Sequence, residues 1–206
     1  MLTAVGDVLR ECYRRSWITT RDGNISLRRS TDGVISHSLY LTPSAWRKNI
    51  IHPEHLIKVR VDGASQPMFE GTGVSTEFRM HYLLQQDAKT TRAVVHVHST
   101  HIVAALSAGI DLQAMAAEFP EISRYTRVGP SIGVVPAGSP ALAEGTNHAF
   151  RGADNGPLRF DIVGQKNHGV CAIGKHPWDA FEHIERLDHI CQITLLAGSW
   201  RKSAKD

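Results

Sequence analysis

The sequence predicts an α/β fold in which a mixed, mostly antiparallel sheet is covered by helices. Segments with strand and helix periodicity alternate along the chain, but they do not form the regular strand–helix–strand units of a parallel sheet. Several strand segments are instead followed by tight Asp-Gly turns, which join antiparallel strands. No repeat, low-complexity stretch or linker interrupts the 206 residues, so we expect residues 1–206 to form a single domain.

The first half of the chain is predicted to start with a helix and to continue as strands. Apolar residues recur at helical spacing over residues 2–16. TTRDGNISLRR then begins a strand, STDGVISHSLYLTPS indicates a hairpin around Asp32-Gly33, and LIKVRVDG alternates as a further strand that ends in an Asp-Gly turn. STEFRMHYLLQQ is predicted to be a helix capped by Ser75. The residues of this helix expected to face the core are Phe78, Tyr82 and Leu83.

The second half is predicted to alternate between strands and helices. TRAVVHVH is a strand followed directly by a helix, SIGVVPAG a short strand, and SPALAEGTNHAF a helix with proline in its first turn. LRFDIVGQKNHGVCAIG indicates two short strands or one bent strand, interrupted at Asn167-His168-Gly169. HPWDAFEHIERLDHICQITLLAG is the clearest helix, and Gly198 is expected to follow its end.

Composition argues against several classes of protein. The net charge of +3 is too small to make nucleic acid the leading partner, although it is compatible with an anionic small substrate. No apolar run approaches bilayer-spanning length, and the N-terminus lacks the apolar core of a signal peptide. Three scattered cysteines form no disulfide framework. We therefore expect a soluble cytoplasmic protein that binds neither nucleic acid nor a membrane.

The histidines of AVVHVHSTH are the first candidate for chemistry. On a strand, His96 and His98 project from the same face, and two neutral imidazoles at that spacing can bind one divalent ion. His168, in an interrupted strand where Gly169 allows close backbone approach, would supply the third ligand that a catalytic zinc site needs. The alternative is a set of ordinary hydrogen-bonded histidines.

Three residues near these histidines have competing interpretations. Glu77, near the start of the helix that precedes the HxH strand, is a candidate acid/base, but a carboxylate at a helix N-terminus is also favoured by the helix dipole alone. His101 begins the next helix and is expected to point away from the site. Cys171 is soft enough for zinc but is expected to face the core.

A second group of residues is typical of an anion site. Small donors occur in a turn, at a strand end and at a helix start, where hydroxyl groups and backbone amides bind phosphate. Taken singly, each is explained by turn or cap chemistry, so a phosphate site requires that these segments converge in the folded protein. These candidates are Gly23, Asn24, Ser44, Ser75 and Thr76.

In this order, the motifs DGNIS, LTPS, EGTGVSTE, AVVHVHSTH and NHGV resemble those of the class II aldolase/adducin family, in particular its fuculose-phosphate aldolase-like enzymes. The resemblance extends over most of the chain, and the ordered set is specific although each motif alone is weak. It implies a three-layer α/β/α fold around a mostly antiparallel sheet, and assembly as a homotetramer.

The resemblance also implies roles for individual residues. His96, His98 and His168 would bind zinc or another divalent ion such as manganese, and Glu77 would be the acid/base. The phosphate-binding positions match Gly23, Asn24, Ser44, Ser75 and Thr76. Tyr125 is the nearest counterpart of a catalytic tyrosine, with Glu118 and Glu121 as other acid/base candidates. Two positions depart from the family pattern: Asp22 adds negative charge beside the phosphate site, and Ala45 replaces a glycine.

The function that follows is reversible aldol cleavage of a phosphorylated ketose through a metal-stabilised enediolate. The same site chemistry is compatible with a methylthioribulose-phosphate dehydratase, a pentulose-phosphate epimerase or a hydroxy-acid decarboxylase. A metal-free scaffold like the adducin head domain is the alternative from another class, and its signature would be loss of the metal ligands.

Overall fold

The computed structural model describes residues 1–30, 37–61, 68–70, 73–86, 92–154 and 156–203. This part of the chain contains seven α-helices: α1 (Leu2–Arg14), α2 (Phe78–Gln85), α3 (Thr100–Ser107), α4 (Leu112–Ala117), α5 (Pro120–Tyr125), α6 (Pro140–Arg151) and α7 (Pro177–Ser203). It also contains seven strands: β1 (Asn24–Ser30), β2 (His37–Leu41), β3 (Ile57–Val61), β4 (Met68–Glu70), β5 (Ala93–Val97), β6 (Ile162–Gln165) and β7 (Gly169–Gly174).

The strands form one sheet in the order β4-β3-β2-β1-β5-β7-β6. All the pairings between these neighbouring strands are antiparallel. Parallel character enters only through isolated bridges beside β6, such as that between Ile132 and Gln165, in the part of the chain that is described. The register pairs Asn24 of β1 with His96 of β5, and Val97 of β5 with Val170 of β7. The sheet is therefore mostly antiparallel, as predicted.

Helices cover both faces of this sheet. Val95 and Val97 belong to a core shared with α1, α3, α4, α5 and α7. Val94, one residue out of phase on β5, belongs to a second core with α2 and α6, because successive side chains of a strand point to opposite faces. The three-layer α/β/α architecture is thus confirmed. His96 shares the face of Val94 and so lies on the side covered by α2.

Helix α2 differs from its prediction at its start and in its buried face. It begins at Phe78, and Glu77, not Ser75, holds the N-cap position without a side-chain cap. The Ser75 hydroxyl instead accepts a hydrogen bond from the Glu77 amide, two residues further on, so the segment before the helix is a local turn. The residues of α2 expected to face the core are only partly buried, and the buried ones are Met80, His81, Leu84 and Gln85.

Other predictions fail where local signals were weak or were overridden. SIGVVPAG forms no strand beyond the bridge at Ile132, and Val134 is 65% exposed. Helices α4 and α5 were not predicted because six residues are too short for a periodic pattern to show. Helix α7 continues past Gly198 to Ser203. The turns at Asp32-Gly33 and at the end of LIKVRVDG lie outside the described residues.

The segment around NHG forms two strands, β6 and β7, joined by a turn that contains His168.

No helix in the described part of the chain is both long enough and apolar enough to cross a bilayer.

Candidate metal centre and active site

Three strands bring the candidate histidines together. His96 is on β5, His98 follows the end of this strand, and His168 lies in the turn that precedes β7, the strand paired with β5. The centroids of the three rings are 4.9 to 5.1 Å apart. One nitrogen from each ring lies within 4.8 Å of the others, and the Nε2 atoms of His96 and His98 are 3.2 Å apart. Residues separated by 70 positions thus form one compact cluster.

Gly169 makes this approach sterically possible. A Cβ atom at this position would lie 2.5 Å from the Val97 carbonyl oxygen, 2.9 Å from Cδ2 of His98 and 3.0 Å from Cε1 of His96. A backbone carbonyl cannot rotate away as a flexible side chain would. The close packing of the turn against the histidines therefore requires glycine, as the sequence indicated.

The donor set fits a divalent cation. The carbonyl oxygen of Val170 can only accept, so Nδ1 of His96, 3.1 Å away, is the protonated nitrogen and Nε2 carries the lone pair. That lone pair faces Oε2 of Glu77 at 3.3 Å, and two electron-rich atoms repel each other at this distance unless a cation lies beside them. Two nitrogens bound to one tetrahedral zinc ion are about 3.3 Å apart, close to the separation of the His96 and His98 nitrogens.

The protonation states of the histidines agree with a ligand role. Burial lowers the pKa of His98 to about 4, with a further lowering by His96. Burial also lowers the pKa values of His96 and His168, against an opposing effect of Glu77. Neutral imidazole is the form that binds a metal ion. Nδ1 of His168 is buried and has no hydrogen-bond partner among the described residues.

Glu77 joins this cluster from the other side. Its Oε2 lies 3.3 Å from Nε2 of His96, and its Oε1 lies 3.3 Å from Nε2 of His168. Asn24 donates to Oε2 at 2.7 Å. Burial raises the pKa of Glu77, but His96, the Asn24 hydrogen bond and His168 lower it to about 2. The carboxylate is therefore ionised and held against the histidines, a geometry that the helix dipole alone does not explain.

The candidate phosphate-binding segments also converge. Asn24 contacts Glu77, and Gly23, just before it, has a φ of +71° that glycine adopts without strain. The LTPS loop joins the segment before α2 through a bridge between Pro43 and Val74 and a hydrogen bond from the Ser44 amide to the Gly73 carbonyl. Ser75 and Thr76 follow in that same segment, with Thr76 exposed and Ser75 buried.

Tyr125 lies in a different environment. It is 48% exposed on α5, and the guanidinium groups of Arg124 and Arg186 lie 5.2 and 5.5 Å from its ring centroid. Glu118 and Glu121 are also exposed. The contacts found for Tyr125 are with arginine rather than with the histidine cluster, and its catalytic role stays a prediction.

His101 and Cys171 behave as the sequence indicated. Nδ1 of His101 lies 3.1 Å from a carboxylate oxygen of Asp188 on α7, and the Cys171 side chain is fully buried in the core under α2 and α6. Burial raises the pKa of Cys171 well above its usual range, so its thiol stays protonated.

A cavity of about 730 Å³ opens beside the cluster. His98 forms part of its wall together with Asp22, Trp17 and three threonine residues, and Asp22 accepts a hydrogen bond from Thr19 at 2.5 Å. The volume is within the range of small-molecule sites. A ligand in this cavity would therefore meet a candidate metal ligand and a carboxylate.

Two buried polar features were missed by the sequence analysis. Lys48 is 2% exposed, and its Nζ donates to the carbonyl oxygens of Pro43 and Trp46 at 3.0 and 3.2 Å, which ties down the LTPS loop. Nothing in the local pattern signals that this lysine is buried. The second feature is His81, which is hydrogen-bonded to both Ser26 and Asn24. Ser26 is two positions from Asn24 on a strand, and His81 is four positions from Glu77 at the start of a helix. These spacings could have indicated that each pair shares a face.

Comparison with known proteins identifies the family of this chain. The sequence profile of the class II aldolase and adducin N-terminal domain family matches residues 3–195. The chain therefore belongs to this family.

Two groups of relatives carry different activities in their names. An L-fuculose phosphate aldolase from Methanococcus maripaludis is 25% identical over 95% of this chain and 96% of its own. A 3-oxo-tetronate 4-phosphate decarboxylase from Pectobacterium atrosepticum is 28% identical over 90% of this chain and 79% of its own. The family is thus clear, while the relatives alone do not select one reaction.

Solved structures share the fold. A sugar-phosphate aldolase from Thermotoga maritima superposes with a TM-score of 0.79 at 19% identity, covering 97% of this chain and 95% of the other. An L-fuculose-1-phosphate aldolase from Thermus thermophilus gives a TM-score of 0.75 at 23% identity, with 98% and 96% coverage.

Proposed function

We propose that this protein is a metal-dependent lyase that reversibly cleaves a phosphorylated ketose by an aldol reaction. The observation that carries the proposal is the convergence of three histidine nitrogens with an ionised, buried carboxylate beside an open cavity. His96, His98 and His168 would hold zinc, or another divalent ion such as manganese. The retention of all three histidines and Glu77 speaks against a metal-free scaffold.

The metal ion and the protein side chains would have different roles in the reaction. A divalent ion bound to the histidines would polarise a carbonyl group as a Lewis acid. Glu77 would accept a proton from the substrate at a carboxylate oxygen and return it, because its lowered pKa keeps it in the basic form. Asn24 would orient that carboxylate through its hydrogen bond to Oε2.

The remaining donors would hold the phosphate of the substrate. Gly23, Asn24, Ser44, Ser75 and Thr76 belong to three segments that contact one another around the start of β1 and α2. Binding energy from a phosphate distant from the reacting bond would orient that bond.

Decarboxylation of a phosphorylated oxo acid is the second candidate, because the decarboxylase relatives match as much of the chain. Both candidate substrates carry a phosphate, and the oxo acid adds a carboxylate. The Asp22 carboxylate borders the cavity beside His98, where this additional negative charge would meet a like charge, so Asp22 favours a ketose phosphate over an oxo acid. Release of CO₂ from 3-oxo-tetronate 4-phosphate, against release of dihydroxyacetone phosphate from ketose 1-phosphates, separates the two reactions.

Glu77→Gln is the test of the proposed mechanism. The variant should retain its metal and its fold but lose most of its turnover of ketose phosphates, by at least about 100-fold, because the proton acceptor is gone. Glu144→Gln, which replaces an exposed carboxylate in a surface ion pair with Arg79, is the matched control and should keep full activity. Full activity of Glu77→Gln would remove Glu77 from the mechanism.

A further inference from the structure

A chain of buried polar side chains runs from the end of α2 to the Glu77 carboxylate. Nε2 of Gln85 lies 3.0 Å from the Ser26 hydroxyl, which lies 2.8 Å from Nδ1 of His81. Nε2 of His81 is hydrogen-bonded to Oδ1 of Asn24, whose Nδ2 donates to Glu77 at 2.7 Å. Each of these side chains is at most 7% exposed, and all but Glu77 belong to β1 or α2. Ser26 is the last residue of the DGNIS motif, whereas His81 and Gln85 lie outside the motifs that carry the family resemblance.

The direction of every hydrogen bond in this series of side chains follows from the orientation of the Gln85 amide. Nε2 of Gln85 also lies 3.2 Å from the Arg92 carbonyl oxygen, which can only accept, so the NH₂ end of the Gln85 amide points to Ser26. The Ser26 hydroxyl therefore accepts from Gln85 and has its single proton left for Nδ1 of His81.

The hydrogen bonds of His81 and Asn24 have directions that follow in the same way. With Nδ1 as the acceptor, neutral His81 carries its proton on Nε2 and donates it to Oδ1 of Asn24. Burial lowers the pKa of His81 to about 3, against a raising effect of Glu77 and with a further lowering by His96, so the ring is neutral at physiological pH. The Asn24 amide then has a fixed orientation, in which its NH₂ group faces Glu77.

We propose that Gln85, Ser26 and His81 are positioning residues that lock the Asn24 amide with its NH₂ group toward Glu77. A flipped amide would place its oxygen against the carboxylate and would remove the donor that holds it beside the histidines. Asn24 also has a second N–H, and the same orientation would present it as a donor for the substrate. The inference rests on the proposed function for its kinetic consequence, but not for the hydrogen-bond directions themselves.

The tautomer of His81 tests the directions without any activity measurement. Long-range ¹H–¹⁵N correlation spectra of histidine-labelled protein distinguish protonated from bare ring nitrogens, and His81→Gln identifies the signal by its absence. We expect Nε2 of His81 to be protonated and Nδ1 to be bare. Ser26→Ala should convert this single form into a tautomer mixture. A proton on Nδ1 in the wild type, or an unchanged tautomer in Ser26→Ala, would overturn the proposal.

A matched variant separates this effect from the loss of a buried hydroxyl in general. Thr146 is fully buried, and its hydroxyl accepts from the Gln165 amide at 2.9 Å, as Ser26 accepts from Gln85. Thr146→Val should lower stability by a similar amount but leave the His81 tautomer unchanged. The same tautomer change in both variants would contradict the assignment.

The kinetic consequence is tested with two replacements of His81. Gln can still donate an amide N–H toward Asn24, whereas Leu cannot. His81→Leu should lower kcat by about 10–100-fold, in the range found for residues that orient a ligand or base, with metal content unchanged. His81→Gln should restore much of kcat. Equal losses in both variants, or a change in KM alone, would overturn the positioning role. If wild type cleaves no ketose phosphate, the proposed function fails, while the tautomer result still decides the hydrogen-bond directions.

Discussion

At the scale of single residues, the site depends on positions where a side chain does not fit. At Gly169, a Cβ atom would collide with the Val97 carbonyl and with both neighbouring imidazole rings. We expect Gly169→Ala to reduce bound metal and to lower the free energy of unfolding by about 1–3 kcal/mol, because the backbone must shift. Elemental analysis and urea unfolding measure the two effects. Gly133→Ala, where a Cβ atom meets nothing within 4 Å, should change neither and serves as the control.

Ala45 is a residue whose backbone conformation disagrees with its side chain. Its φ is +57°, a conformation that costs an L-residue about 1–2 kcal/mol relative to glycine, and the family pattern has glycine at this position. Ala45→Gly should therefore raise the free energy of unfolding by about 0.5–1 kcal/mol, after the added entropy of the unfolded chain is subtracted. Urea unfolding measures this change. Ala114→Gly, on the exposed side of α4, should lower stability instead; a loss in both variants would contradict the strain at Ala45.

At the scale of elements, secondary structure could be predicted where the hydrophobic pattern is long and regular. The periodicity over residues 2–16 and the clean alternation of LIKVRVDG predicted α1 and β3. The buried face of α2 was missed because it is polar as well as apolar, with His81 and Gln85 facing the polar side of β1. Hydrophobic periodicity cannot identify a face whose burial is stabilised by hydrogen bonds.

Helix α4 illustrates a short element that depends on its cap. The Asp111 carboxylate accepts hydrogen bonds from the amides of Gln113 and Ala114 at 2.9 and 3.1 Å. Asp111→Ala should lower the free energy of unfolding by about 1 kcal/mol, since these amides lose their acceptor. Asp111→Asn, which keeps a side-chain oxygen, should lose much less. Urea unfolding of the two variants distinguishes this capping role from a general effect of substitution, which would affect both equally.

At the scale of the whole molecule, the sheet brings together segments that are far apart in sequence. Residue types and spacing suggested a cluster of His96, His98 and His168, and the ordered family motifs implied it. The structure brings the three together with Glu77. The tethering of the LTPS loop by Lys48 and the hydrogen bonds around Asn24 could not be predicted, because they depend on three-dimensional approach between β1, α2 and the loops.

The oligomeric state is also a property of the whole molecule. The resemblance to fuculose-phosphate aldolase-like enzymes predicts a homotetramer, in which the exposed Tyr125 of one subunit would be free to meet a neighbour. Light scattering coupled to size-exclusion chromatography should give four times the chain mass of 22.7 kDa. A monomer at micromolar concentration would contradict this prediction.

We expect His96, His98 and His168 to hold one divalent ion. Elemental analysis of tag-free protein measures this, with wild type compared with His96→Ala and with His189→Ala, which replaces an exposed histidine on α7. About one zinc or manganese ion per chain is expected in wild type and in His189→Ala, and a large loss in His96→Ala. Wild-type protein that binds no metal even after reconstitution, or His96→Ala with the wild-type content, would mean that the cluster is structural.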